Sequence, residues 1–165
     1  MPAIDFTTAL ARLLREPALR REFAHDASSV AGRLHVRAED RAAVVALPLA
    51  ALERQAETLL RKRFHEARKL APDTFALLGE RAWERFGSYA LAHWPAGHHR
   101  HLLDALGFCE DLGTPCKSEC NRLRFLAANR RLRIHWPTDQ RGGGLQILFR
   151  TRDGSLREST VQLGI

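Results

Sequence analysis

The sequence lacks the signals of membrane insertion, secretion and autonomous catalysis. The longest uncharged run near its middle, residues 42–52, has 11 residues and contains Pro48, whereas a membrane-spanning helix needs about 20 apolar residues. Asp5 lies close to the start, and no basic segment precedes an apolar stretch there, so we expect a cytoplasmic protein without a secretory signal. The motifs GxSxG, GxGxxG and HExxH and the Walker loop are all absent from the sequence, and we therefore expect no enzyme activity in this chain.

Cysteine is scarce, and its odd number does not suit a disulfide framework. The three cysteines are Cys109, Cys116 and Cys120. Three thiolates and a histidine suit zinc, but structural zinc sites usually contain a CxxC pair, which this sequence does not have. We expect reduced thiols that behave as small hydrophobic side chains, and we keep the three as alternative metal ligands.

Histidine is concentrated in one short region that offers a second candidate for metal binding. His98, His101 and Asp104 are spaced i, i+3 and i+6 along a predicted helix. Imidazole and carboxylate groups are ligands of zinc and iron, yet polar residues at a helix start that pair with Asp104 explain the same pattern. We expect no metal or other cofactor in this chain and retain these residues as alternative ligands.

Positive charge is concentrated in the last third of the chain. Residues 113–165 hold 10 basic and 4 acidic residues, whereas residues 1–112 hold 16 and 15. This asymmetry indicates an anionic partner for the C-terminal part.

Apolar residues at helical spacing dominate the first 128 residues. The clearest case is residues 49–70, where one face is apolar and the other is charged. Residues 27–37 show no such pattern and are predicted to be a connection. The predicted helices are residues 4–15, 17–23, 38–46, 49–70, 74–93, 98–112 and 117–128.

The period of the pattern changes near residue 130, which predicts β-strands. Leu132, Ile134 and Trp136 alternate with polar residues, and apolar residues alternate again over residues 145–150. A turn at residues 153–155 then precedes a third strand over residues 156–163. The predicted fold class is α+β: a mainly helical domain, residues 1–112, followed by a last helix and a small antiparallel three-stranded β unit, residues 113–165.

The predicted sheet has an apolar face and a basic face. We expect the apolar face to pack on the last helix and the basic face to meet solvent. Arginine suits both phosphate and the carboxylates of an acidic peptide, and aromatic platforms for single-stranded nucleic acid are sparse in these strands. The candidate peptide-binding residues are Arg131, Arg133, Arg150, Arg152 and Arg157.

Four stretches of the sequence resemble a known family of partner proteins. They are LARLLREPALRREFAHD at residues 10–26, LERQAETLLRKRFHEARKLAP at 52–72, WPAGHHRHLLDALGF at 94–108 and NRLRFLAANRRLRI at 121–134. Together they resemble the small helical subunits encoded beside multinuclear non-haem iron oxidative enzymes, which modify ribosomally made peptides in methanobactin and related pathways. The resemblance implies a helical scaffold that binds the TIM-barrel enzyme and helps to hold the precursor peptide. It also implies that the iron and the catalytic residues belong to the barrel.

The sequence therefore predicts a non-catalytic accessory subunit. Residues 1–112 would bind the enzyme, and residues 113–165 would recognise the leader of the precursor peptide by adding it as a strand to an open sheet edge. We expect neither a membrane nor a nucleic acid as a partner. The alternatives are a DNA-binding regulatory protein and a small metalloprotein that uses the histidine and cysteine clusters.

Overall fold

The computed structural model describes residues 2–97, 99–128, 131–135, 144–151 and 155–162. His98, Trp136, Arg152 and the first two residues of the predicted turn at 153–155 lie outside these ranges. The chain divides into two compact units, Met1–Lys62 and Arg63–Ile165. The functional boundary at residue 112 remains a prediction.

Mostly short helices build the first unit. Asp5 caps α1 (Phe6–Arg15) by accepting a hydrogen bond from the Thr8 N–H at 2.8 Å. The next elements are α2 (Pro17–His25), α3 (Ala27–Arg33) and α4 (Ala38–Val45), and α5 (Leu49–Leu70) begins in this unit. The core of the unit contains the buried side chains of Ala9, Leu13, Leu19, Phe23, Val30, Ala31, Leu34, Val36, Val44 and Leu52.

The prediction of a connection over residues 27–37 is wrong, because α3 lies there. Asp26 accepts a hydrogen bond from the Ser29 N–H at 2.8 Å and so satisfies a free donor of the first turn. Val30 and Ala31 are buried in the core. The helix is too short for its apolar spacing to be distinct in the sequence.

Aromatic packing holds the helices of the second unit. The end of α5 is followed by α6 (Pro72–Leu78), a 3₁₀ turn (Gly79–Arg81), α7 (Ala82–Ala92), α8 (Arg100–Asp111) and α9 (Lys117–Ala127). Phe75 lies 5.1 Å from Phe108 and Phe86 lies 5.2 Å from Phe108 between ring centroids. These side chains join α6, α7 and α8 around one core.

The helix predicted over residues 74–93 is interrupted. Gly79 has a φ of 54° and a ψ of −128° at the end of α6. Residues with a Cβ rarely adopt this conformation, whereas glycine adopts it readily. Gly79 therefore ends α6 and lets the chain start α7 in a new direction. Both helices still bury aromatic residues, which explains why the sequence pattern looks continuous.

The strands β1 (Leu132–His135), β2 (Gly144–Arg150) and β3 (Leu156–Gln162) follow in sequence order. Both neighbouring pairs are antiparallel: Ile134 pairs with Ile147, and Phe149 pairs with Arg157. The prediction of a mainly helical chain with a small antiparallel β unit at its C-terminal end is confirmed.

The prediction that the apolar sheet face packs on the last helix is wrong. β2 packs against α9, and its buried residues are Gln146 and Leu148, which are 2% and 0% exposed. The alternate residue Phe149 is 38% exposed. Alternation predicts which side chains share a face, but the path of the chain from α9 into β1 decides which face meets the helix.

Candidate peptide-binding site

Hydrogen bonding in the β2–β3 hairpin leaves the outward side of β3 unpaired among the described residues. The Thr151 N–H donates to the Ser155 carbonyl at 3.0 Å, which marks this pair as hydrogen bonded. Because such pairs alternate along an antiparallel ladder, the backbone groups of Arg157, Ser159 and Val161 point towards β2. Those of Leu156, Glu158, Thr160 and Gln162 point away from it.

The other side of β2 shows the complementary pattern. The Arg150 N–H donates to the Arg131 carbonyl at 2.9 Å, so the alternate residues of β2 bond to β1. Within the described part of the chain, β3 pairs only with β2. Its outward N–H and C=O groups are therefore available to a further extended strand.

The five candidate arginines do not share one face. Arg157 is exposed and lies opposite Phe149, whereas Arg150 lies opposite Leu156 and is half-buried. Arg131 is exposed just before β1, and Arg133 lies in β1 opposite Leu148. Arg152 lies outside the described residues. The expected single basic face is thus wrong, because Arg157 occupies the apolar face and Arg150 the face that packs on the helix.

A polar pocket of about 250 Å³ lies next to the open edge. It is lined by Asp73, Ser118, Glu119, Arg122 and Glu158. The sequence patterns did not single out these residues, because they come from three separate segments that only the fold brings together. Glu158 accepts a hydrogen bond from Gln146 Nε2 at 2.7 Å, which anchors the middle of β3 to the buried face of the sheet.

Glu119 links the two helices beneath this pocket. Its carboxylate accepts hydrogen bonds from the N–H groups of Asp73 and Thr74, each at 2.8 Å, and the residue is 4% exposed. The N–H groups of the first turn of α6 are thereby satisfied from α9. The negative charge of the Glu119 carboxylate also interacts favourably with the positive, N-terminal end of the α6 dipole.

Asp104, a candidate metal ligand, belongs to a buried ion pair. Its two carboxylate oxygens accept from Arg63 Nη2 at 2.7 Å and Arg63 Nε at 2.9 Å. Arg63 also donates to the carbonyls of Ala90 and His93, and its Cζ lies 4.6 Å from the centroid of the Trp94 ring. The arginine therefore satisfies the carboxylate and fixes the end of α7 against α8.

The other histidine and cysteine candidates form no metal site with Asp104 among the described residues. His101 is half-buried in α8, and its Nδ1 has no hydrogen-bond partner among the described residues. His98 lies outside the described residues. Cys116 precedes α9 with its Sγ 3.3 Å from Ser118 Oγ. Among the described residues, no group of three or more histidine, cysteine, aspartate or glutamate side chains is placed to hold a metal ion.

Cys109 and Cys120 form a buried thiol pair between α8 and α9. Both are free and fully buried, and Cys109 Sγ also lies 3.6 Å from Thr74 Oγ1. The hydrogen bond with Cys120 lowers the pKa of Cys109. The same bond, together with burial, raises the pKa of Cys120. The pair thus joins two helices through hydrogen bonding and packing.

Among the described residues, each helix is either too short or too polar to span a lipid bilayer. Comparison with protein-family models, curated proteins and solved structures gave no match.

Proposed function

We propose that this chain is a non-catalytic subunit of a multinuclear non-haem iron enzyme that modifies ribosomally made peptides. The chain binds the barrel enzyme, which carries the iron, and it holds the leader of the precursor peptide. Both partners act in the cytoplasm. Support for this role comes from the four sequence stretches that resemble the partner-protein family.

The open edge of β3 is the observation that carries the peptide-binding part of the proposal. In a three-stranded antiparallel unit, an extended leader segment adds to this edge and bonds to the outward groups of Leu156, Glu158 and Thr160. Arg157 is exposed on the same strand. It pairs with a leader carboxylate and so favours an acidic segment over a neutral one.

Reconstitution with the enzyme encoded beside this chain tests the role. The expected result is a stable complex, together with peptide modification that is lost when this chain is omitted. Full modification by the enzyme alone contradicts the proposal. Tight, steeply salt-dependent binding of duplex DNA in place of the peptide contradicts it as well, since that behaviour is typical of phosphate-contacting regulators.

A proline substitution tests the strand edge itself. Thr160→Pro removes an outward N–H, while the ladder to β2 is retained, because proline is tolerated on the solvent side of an edge strand. We expect at least about tenfold weaker leader binding by fluorescence anisotropy, since main-chain hydrogen bonds supply the affinity of strand addition. Thr160→Ala keeps the N–H and is the matched control. Equal binding by the two variants would exclude the β3 edge.

A charge reversal tests the selectivity. Arg157→Glu should weaken binding of an acidic leader and leave binding of a version with its acidic residues changed to glutamine nearly unchanged. The reason is that the arginine contributes through pairing with carboxylates. The measurement is the ratio of the two dissociation constants, compared between the wild-type chain and the variant.

A further inference from the structure

The sheet face that points away from α9 is apolar and exposed. We name it the outer face, and its described apolar members are Leu132, Ile134, Leu145, Ile147, Phe149 and Val161. The exposed fractions are 57% for Leu132, 58% for Ile134, 38% for Phe149 and 43% for Val161. Leu145 and Ile147 are half-buried between them in the central strand.

These side chains form one surface and are not scattered positions. The register places Leu132 opposite Phe149 and Ile134 opposite Ile147, so the apolar side chains of β1 and β2 lie side by side. Val161 extends the row from β3 through its pairing with Leu145. Apolar surfaces with several large neighbouring side chains are uncommon on isolated proteins and mark sites of association.

The charges near the outer face select the kind of partner. Arg157 pairs with Phe149 and lies on this face, and Arg131 is exposed just before Leu132. Residues 129–165, which follow α9, hold 7 basic and 3 acidic residues. A second copy of this chain would bring two basic surfaces together, which is electrostatically unfavourable, whereas carboxylates around an apolar centre match both features.

We infer that the outer face docks a partner protein whose surface has an apolar centre surrounded by aspartate and glutamate. Resting on the proposed function, this inference assigns that partner as the iron enzyme. The outer face then adds to the enzyme contact predicted for residues 1–112 and acts through side chains. The β3 edge binds the precursor through its backbone, and Arg157 lies where the two sites meet.

Two substitutions on the outer face test this assignment. Ile134→Glu and Phe149→Glu place a carboxylate against the apolar centre of the partner, inside its acidic rim. We expect each to weaken the complex with the enzyme at least about tenfold in analytical ultracentrifugation or calorimetry, as the loss of a central contact does. Ala127→Glu is the control, because Ala127 in α9 is exposed and lies outside both the sheet and residues 1–112.

Leader binding by Ile134→Glu confirms that this variant remains folded, because the β3 edge depends on an intact sheet. Circular dichroism serves the same purpose for Phe149→Glu, since Phe149 lies opposite Arg157. The inference is supported if both outer-face variants lose the enzyme and Ile134→Glu keeps the leader, while Thr160→Pro loses the leader and keeps the enzyme. Unchanged enzyme binding by Ile134→Glu and Phe149→Glu overturns the inference and leaves the proposed function intact.

The remaining outcomes are also decisive. If the wild-type chain forms no complex with the enzyme, the proposed function and this inference both fail. If the wild-type chain is a dimer that the two outer-face variants convert to monomers, the outer face is a contact between copies and the assignment to the enzyme is overturned. Added salt should weaken the enzyme complex, since charge pairing contributes to it.

Discussion

Asp104 is a position where loss of a buried charge should be costly, because it forms an ion pair with Arg63. Asp104→Asn leaves Arg63 buried without its counter-charge, and we expect a loss of about 3 kcal/mol in the free energy of unfolding, measured in urea. Asp111→Asn, an exposed position on the same helix, is the control and should change it by less than about 0.5 kcal/mol. Similar losses in both variants would show that the ion pair is not what stabilises this region.

Glycine at position 107 accommodates the ring of Tyr89. A Cβ added there would lie 3.2 Å from Tyr89 Cζ and closer still to the hydroxyl oxygen. Gly107→Ala should therefore destabilise the protein by about 1–3 kcal/mol in thermal or urea unfolding, as overpacking does. Gly87→Ala meets open space within α7 and should stabilise it by about 1 kcal/mol. Combining Gly107→Ala with Tyr89→Phe should recover part of the loss, and no recovery would contradict the proposed clash.

Titration of Tyr89 predicts how stability changes at high pH. Burial, assisted by the negative charge of Asp104, raises the pKa of Tyr89 from 10.0 to about 12. The neutral phenol is favoured in the folded protein, so its contribution is complete below pH 10 and declines as the pH rises from 10 towards about 12. Urea unfolding across this range should give a steeper decline for the wild-type chain than for Tyr89→Phe, and equal slopes would refute the assignment.

A helix in this protein is stabilised from a distant part of the sequence. Glu119 in α9 accepts hydrogen bonds from the first turn of α6, so Glu119→Ala should lower the free energy of unfolding by about 2 kcal/mol. Hydrogen exchange should report the loss mainly at the start of α6. Glu110→Ala is the matched control, because it removes only an exposed ion pair with Arg124. Equal effects of the two changes would contradict the capping role.

Element boundaries follow from the sequence where a single face is apolar over several turns. Residues 49–70 form a helix with the predicted bounds, because 22 residues give a clear stripe. The start of α3 depends on Asp26 and on few apolar residues, and the break at Gly79 depends on a backbone conformation that the spacing of apolar residues does not report. The local spacing of apolar residues therefore predicts the long helix α5 but misses the start of α3 and the break at Gly79.

The candidate site can be predicted from the sequence only in part, for a similar physical reason. Alternation identifies the strands and shows which of their residues share a face. It does not identify the face that α9 covers, and this is why Leu148 and Gln146 are buried and Phe149 is exposed. Pairing of Asp104 with Arg63 joins residues 41 positions apart, a contact that helical spacing alone cannot predict.

Across the molecule as a whole, charge and apolar exposure meet in the C-terminal β unit. Residues 1–112 are nearly neutral, whereas residues 113–165 carry a net charge of +6. The outer face adds exposed apolar side chains to this charge. The concentration of both properties in one small region is typical of an interaction surface.

In the proposed complex, the open edge of β3 would also act as a molecular ruler. Its seven residues span about 23 Å, and its outward donors recur at every second residue. An added strand that slips by two residues finds the same backbone pattern, while a slip by one residue turns its side chains to the opposite face. Backbone hydrogen bonding alone therefore leaves several alignments of the added strand nearly equal in energy. Pairing of a leader side chain with a fixed residue such as Arg157 would favour one of them. The spacing between a leader carboxylate and the residue to be modified would then determine which residue reaches the iron.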